Sequence, residues 1–340
     1  MNVLRPVEII GGGLAGLSLG LALQRAGVPV TIQEAGKYPR HRVCGEFIAG
    51  LPASTRHRLH LDPLLADAAH NREVAWFAGE RLVRRQQLPA DALGLSRHVL
   101  DARLAHAFQE AGGTLHVNTR SAAQSDAPGR IFATGRRRAA SQWIGLKLHA
   151  VRLPLAGDLE VHLGEQAYVG LARIENGRVN ICGLFRRRAL CAKGADLLLG
   201  YLQAGGLDRL AQRLGTASLD LHSFCAVAAL DFDSHVGNAP ALRLGDACAM
   251  IAPFTGHGMA MAFQSADLAL DPLIAYARGE LEWPQVRSMI RTSLRRRFRV
   301  RLGTAHALHG FLLRPRGQRW LATLSRFRLL PLRPLYAALH

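Results

Sequence analysis

Val7-Glu8-Ile9-Ile10-Gly11-Gly12-Gly13-Leu14-Ala15-Gly16, continued by Leu17 to Ala26 and closed by Val28-Pro29-Val30-Thr31-Ile32-Gln33-Glu34, decides the fold. The pattern predicts a short apolar strand, a glycine turn, a helix and a second strand ending in a carboxylate. In the spacing Gly11-x-Gly13-x-x-Gly16 each glycine has a mechanical task. Gly11 allows the tight exit from the strand, Gly13 lets a pyrophosphate approach bare backbone, and Gly16 lets the helix pack close to the strand. Ala15 lies in the first helical turn, whose unpaired N–H groups and partial positive charge suit phosphate oxygens. Glu34 falls about 20 residues further on, where an acid grips a ribose hydroxyl. The expected fold class is therefore α/β, built on a Rossmann-type dinucleotide domain.

Composition sets wider bounds. The chain has 340 residues, 49% hydrophobic and 20% charged, which is long enough for a large core. Its five cysteines are scattered and form no C-x-x-C pair, so neither a zinc site nor a disulfide framework is expected. A reducing, cytoplasmic setting follows. The apolar stretch from Ile9 to Leu23 is interrupted by glycines and lacks a small-residue cleavage site, unlike a signal peptide. No uncharged apolar run is long enough to span a bilayer. The net charge of +18 is uneven: no acid follows Glu282, while arginine recurs from Arg287 to Arg333. That charge fits a solvated basic face or attraction to an anionic membrane surface. No nucleic-acid motif accompanies it, so nucleic acid is not an expected partner.

Past Glu34 the chain reads Tyr38-Pro39-Arg40-His41-Arg42-Val43-Cys44-Gly45-Glu46-Phe47. Arg42, with Arg40, suits a pyrophosphate or another anionic cofactor edge. An Arg-x-x-x-Cys-Gly segment after a Rossmann unit resembles flavoproteins of the p-hydroxybenzoate hydroxylase fold, nearest to the geranylgeranyl-reductase-like branch. The resemblance implies FAD as cofactor and places Cys44 and Gly45 beside the isoalloxazine; a small buried hydrophobe is the plainer role for Cys44. Ser96-Arg97-His98 opens a helix running to about Ala111, and the resemblance assigns Arg97 to the flavin nucleotide. Relatives with hydroxylase activity end the strand at Phe132 with Asp-Gly, a motif tied to NADPH. Here the pair is Thr134-Gly135, followed by Arg136-Arg137-Arg138.

Short strands are expected at Val74–Phe77 and Arg81–Val83, with a loop over Leu88–Leu95. From Trp143 to about Asp233 the alternation predicts strands at 143–149, 159–163, 167–171 and 178–184, the substrate wall of this fold by resemblance. Lys147, His149, Tyr168 and Asn180 are its polar candidates, with Lys147, Tyr168 and Asn180 carried forward as pocket residues. Residues 196–214 read as helical. The branch's Tyr-x-Trp-x-Phe-Pro motif is replaced by Tyr168-Val169-Gly170-Leu171-Ala172, which argues against a geranylgeranyl lipid as substrate.

A second motif runs Leu242-Arg243-Leu244-Gly245-Asp246-Ala247 to Ala252-Pro253-Phe254-Thr255-Gly256-His257-Gly258-Met259. It resembles the family's Gly-Asp segment and Pro-x-Thr-Gly-x-Gly turn. Asp246 would accept a hydroxyl of the ribityl chain; Gly256 and Gly258 would admit the flavin edge; Met259 would begin a helix aimed at it. Pro253, Cys44 and His257 are the flavin-proximal candidates, with no protein nucleophile assigned.

These motifs divide the chain into a discontinuous FAD domain (1–75, 96–140 and 238–275), a substrate domain (76–95 and 141–237) and a basic helical region (276–340). In the last, Val286, Met289, Ile290 and Leu294 form an apolar stripe, repeated around Leu308–Leu313 and Trp320–Phe327. Such a stripe suits packing on the core or lying on a membrane. The resemblance implies an FAD-dependent oxidoreductase: first a monooxygenase using NAD(P)H and O2 on an aromatic, polyketide or lipid-like substrate, and second a C=C reductase of an apolar, isoprenoid-like substrate. A flavin-binding, membrane-associated protein without turnover is the third expectation.

Overall fold

In a computed structural model, residues 3–121, 126–136, 141–228, 230, 241–312 and 317 are described. The elements, in chain order, begin with β1 (Val7–Ile10), α1 (Leu14–Arg25), β2 (Val30–Gln33), β3 (Phe47–Ile48), α2 (Ala53–Arg58), β4 (Ala69–Ala78), β5 (Arg81–Gly94) and α3 (Arg97–Glu110). They continue with β6 (Thr114–His116), β7 (Arg130–Phe132), β8 (Trp143–Val151), β9 (Leu159–Gly164), β10 (Ala167–Arg173), β11 (Arg178–Arg186), α4 (Gly194–Ala204) and α5 (Asp208–Gly215). The last are β12 (Ser218–Ala228), β13 (Leu242–Arg243), α6 (Gly258–Ala277) and α7 (Trp283–Leu312).

Five strands form a parallel sheet in the order β13-β7-β1-β2-β6. Val7, Ile9 and Ile10 are all buried, as expected of a strand covered on both faces. Every residue of α1 from Leu14 to Leu23 is buried, because the helix lies between this sheet and α6. Two glycines make that packing possible. A Cβ at Gly16 would lie 2.0 Å from the Gly11 carbonyl oxygen, and one at Gly20 would lie 2.7 Å from Ile32 Cδ1.

The second sheet is mixed, with the order β12-β8-β11-β10-β9-β4-β5-β3. Alternation gives it two faces. On the back face Leu146, Leu148, Val169, Leu171, Ile181 and Phe185 pack on Leu198, Leu202, Leu210 and Leu214 of α4 and α5. On the front face, toward the parallel sheet's domain, stand Trp143, Lys147, His149, Tyr168, Gly170, Asn180, Cys182 and Leu184.

Three local expectations change. Leu88–Leu95 is not a loop: β5 continues to Gly94, because Ala69, His70 and Asn71 supply partners for Gly94, Leu93 and Ala92. The helical stretch 196–214 divides at Gly205-Gly206, where Gly206 has φ +69°. On α7, Val286, Ile290 and Leu294 are buried with Phe298 in the α1–α6 core, but Met289 lies outside the stripe and is 48% exposed. Among the described residues no helix is long and apolar enough to cross a membrane. The stripe expected over Trp320–Phe327 lies outside the described residues.

Candidate functional site

The glycine turn and the first turn of α1 form one side of the site. Gly11 has φ +110°, and a Cβ there would meet the Ala133 carbonyl oxygen at 2.4 Å. Gly13 differs: the nearest atom to a Cβ would be Arg97 Nη2 at 4.0 Å, so this glycine borders open space. It is the N-cap of α1, with no side-chain cap and no acid in the first turn. The free helix N–H groups can therefore take anionic oxygens. Glu34 is buried at the end of β2 and accepts N–H bonds from Gly12 (2.7 Å) and Gly36 (3.0 Å) and one from Arg40 Nη2 (2.5 Å). Burial works to raise its pKa, but Arg40, Arg42 and the two backbone donors hold it below the usual value.

Arg97 connects this turn to the downstream motif. Ser96 caps α3, its Oγ accepting the Val99 N–H, while Glu175 holds the Ser96 N–H at 2.7 Å and Oγ–H at 2.5 Å. The cap directs Arg97 toward Gly13, and Asp101 orients its guanidinium through bonds of 2.7 and 2.9 Å. Arg42 Nε also donates to Asp101, at 3.1 Å, leaving Arg42 Nη2 buried without a hydrogen bond. Asp246 belongs to the same cluster. Its pKa is raised by burial against the pull of Arg97, Arg136 and Arg42, and its side chain remains accessible to solvent. A Cβ on Gly245 would sit 3.2 Å from Ala15 Cβ, which places the second motif against the first turn of α1.

The Pro253–Thr255 turn follows, with Pro253 exposed. Gly256 has φ +71°, and the Phe47 ring fills the place of its Cβ at 2.2 Å. His257 is buried and precedes α6, its carbonyl accepting the Met261 N–H at 2.8 Å. Gly258 has no atom within 4 Å of a Cβ position, while Met259 is buried in the core. The N-terminus of α6 also lacks a side-chain cap and a first-turn acid. Two uncapped helix N-termini thus border the site.

The Cys-Gly segment is held from beneath. Asn180 Nδ2 donates to the carbonyl oxygens of Cys44 (3.0 Å) and Gly45 (2.8 Å), and Cys44 Sγ accepts the Glu46 N–H at 3.4 Å. Burial raises the Cys44 thiol pKa. Glu46 is fully buried with φ +56°, forms an ion pair with Lys147 Nζ (3.2 Å) and accepts the Arg97 N–H (3.0 Å), while its Oε2 pairs with His149 Nε2 at 2.5 Å. Lys147 also reaches His41 Nδ1 at 3.1 Å; burial and the neighbouring Lys147 charge lower the His41 pKa to about 4. Lys147 and Asn180 are thus fully buried beneath the segment. Tyr168 is buried as well, and its hydroxyl accepts the Phe254 N–H at 3.1 Å.

Between these anchors the front face is hollow. A Cβ on Gly170 would find only the Cys182 carbonyl oxygen, at 3.9 Å. Gly170, Cys182 and Val161 are half-buried in the middle of the sheet. On one side Tyr168 and Phe254 meet edge to face at 6.1 Å, with Trp143 and His309 of α7 beside them. On the other side stand Phe47 and Trp76. Sequence reasoning missed Glu46, Asp101 and Glu175. Two signals were present: the Arg97–Asp101 spacing of one helical turn, and an acid directly after Cys44-Gly45. Nothing local marks Glu175, whose partner is 79 residues away.

The parallel sheet, the mixed sheet and the C-terminal helices together make the fold of FAD-dependent monooxygenases and halogenases. The p-nitrophenol 4-monooxygenase PnpA of Pseudomonas putida is similar over 100% of this chain and 97% of its own, with TM-score 0.75 and 14% identity. PqsL of P. aeruginosa, in complex with 2-aminobenzoylacetate, is similar over 94% and 98%, with TM-score 0.70 and 16% identity. The myxobacterial chondrochloren halogenase CndH is similar over 86% and 79%, with TM-score 0.68 and 16% identity. At these identities the likeness is one of fold, and it leaves the geranylgeranyl-reductase-like branch unassigned. No family model and no curated protein matches the chain.

Proposed function

We propose that the chain is an FAD-dependent monooxygenase acting on a small aromatic or apolar substrate. One observation carries this: the open Gly13, Arg97 and the Gly245-Asp246 turn packed against Ala15, from three distant parts of the chain, converge beside two uncapped helix N-termini. The donor set fits FAD. Gly13, the α1 N-terminus, Arg97 and Arg42 Nη2, which makes no hydrogen bond and lies 3.9 Å from Glu34, would hold the pyrophosphate. Glu34 would hold the adenosine ribose, Asp246 the ribityl chain, and Gly256 and Gly258 the flavin edge near Cys44 and Gly45. When bound and reduced by NAD(P)H, FAD supplies oxygen activation and oxygen-atom transfer. The protein's part is to bind, orient and exclude water. Asn180 and Glu46 fix the segment facing the ring, the α6 N-terminus favours negative charge there, and the hollow over Gly170 receives the substrate. Aromatic walls suit a flat ligand, as do the names of PnpA and of the PqsL complex.

The test is direct. Purified protein is expected to be yellow, with FAD released by acid, and to consume O2 in step with NAD(P)H when a phenolic or polyketide substrate is added. Colourless protein that takes up no FAD overturns the proposal. Turnover under nitrogen with reduction of a C=C bond replaces the oxygenase by the reductase.

A further inference from the structure

On the front face of the mixed sheet, beyond the hollow, three polar atoms have no partner. Trp76 Nε1, Arg84 Nη1 and Gln86 Oε1 are each buried without a hydrogen bond. The register brings them together: Trp76 on β4 lies opposite Arg84 on β5, and Gln86 lies opposite Val74, two residues along. Directly opposed residues have Cβ atoms about 5 Å apart and diagonal ones about 7–8 Å, within reach of these long side chains. They share the face of Val74, Leu159 and Val161, which continues to Gly170. Among the described residues Arg84 makes no ion pair.

That arrangement is unusual in a folded chain. A buried donor or acceptor left unsatisfied costs about 1–3 kcal/mol, and more for a charged group. Nearly all such groups therefore find partners. Here three fall on adjacent positions of two paired strands, two as donors, one of them a cation, and one as an acceptor. Phe47, Leu88 and Val161 form the apolar patch beside them. Each of the three side chains is only half-buried, so their polar ends lie close to the surface of this face.

We infer that Trp76, Arg84 and Gln86 form a subsite for the carboxylate of a flat apolar acid whose body lies over Val161 and Gly170. Arg84 and the indole N–H donate to the carboxylate, and Gln86 accepts from a neighbouring hydroxyl or amine of the same ligand. The inference rests on the proposed function in placing the substrate over the hollow, and it narrows the substrate class to aromatic or similarly planar acids.

The test uses the FAD-loaded full chain and two probes of equal shape, naphthalene-2-carboxylate and naphthalene-2-carboxamide, titrated calorimetrically. Flavin content is measured separately by acid release. The acid is expected to bind at least about tenfold more tightly than the amide, as a charge-assisted hydrogen bond predicts. Arg84→Gln removes the preference, and Arg84→Lys, which keeps charge and fold, retains part of it. Trp76→Phe weakens the acid alone. Equal binding of the two probes, an unchanged preference in Arg84→Gln, or no binding of either at millimolar concentration overturns the subsite and assigns its hydrogen bonds to water. Protein that takes up no FAD but still prefers the acid supports the subsite while overturning the flavin proposal.

Discussion

Glu46 Oε2 and His149 Nε2 lie 2.5 Å apart although 103 residues separate them in the chain. The contact joins the end of the Cys-Gly segment to the front face of the mixed sheet. Lys147 completes it from the same strand, and all three side chains are buried. The backbone facing the proposed flavin is therefore anchored by charge, in addition to packing.

Replacing Glu46 with Leu leaves the Lys147 ammonium buried with no carboxylate. Breaking a buried pair in this way costs about 3–5 kcal/mol. The urea midpoint is expected to fall accordingly with little change in slope. An unchanged midpoint would show that the sheet holds the segment without the ion pair.

Acid sensitivity has two windows. His41 has a pKa of about 4 in the folded chain against 6.5 for the free side chain, so the unfolded state binds its proton first. Its contribution is complete above about pH 6.5 and is lost as pH falls toward about 4. Glu160 is fully buried. Burial raises its pKa, but hydrogen bonds from His162, Arg213 and Ala156 bring it to about 2 from 4.5. Its contribution is complete above about pH 4.5 and lost as pH falls toward about 2. Urea midpoints measured from pH 8 to pH 3 should flatten in His41→Asn over the upper window and in Glu160→Gln over the lower.

Gly13→Ala and Gly16→Ala separate binding from folding. A methyl at Gly13 enters open space, whereas one at Gly16 strikes the Gly11 carbonyl oxygen at 2.0 Å. Gly13→Ala should melt like the parent but carry less FAD. Gly16→Ala should melt lower. Equal melting points for the two variants would contradict the packing of α1 on β1.

Asp246→Ala removes a solvent-accessible carboxylate acceptor. A hydrogen bond involving a charged group contributes about 1.5–3 kcal/mol. FAD affinity, followed by quenching of flavin fluorescence, should drop about tenfold or more while the thermal midpoint of the cofactor-free protein stays put. Undiminished affinity would remove Asp246 from the cofactor site.

Ile290→Asp places a charge in the layer between α7 and α6. Ile290 is fully buried there with Val286 and Leu294, so the loss should be several kcal/mol and visible in a thermal melt. A variant that melts like the parent but no longer binds anionic vesicles would instead give this face to a membrane.

Local order was legible from the residues alone. The β1–α1–β2 unit, the Gly245-Asp246 turn and the alternating strands from Trp143 are contiguous patterns, set by turn chemistry and side-chain period. The extent of β5 was not: Ala92–Gly94 pairs with Ala69–Asn71 on one side and, at Leu93 and Gly94, with Phe47–Ile48 on the other. Lys147 and Asn180 were visible as polar residues within strands. Which way they face, and that Glu46, Cys44 and Gly45 receive them, depended on how the two sheets meet.

By itself the sequence determined the β1–α1–β2 unit and the two glycine turns, because those depend on neighbours within one or two turns of chain. Only the tertiary structure decided which side chains share a cleft. Arg97 beside Gly13, Asp246 within the field of Arg97 and Arg42, and the unpaired row of Trp76, Arg84 and Gln86 arise from contacts between distant segments. Burial then fixes how much each unpaired charge or hydrogen bond is worth.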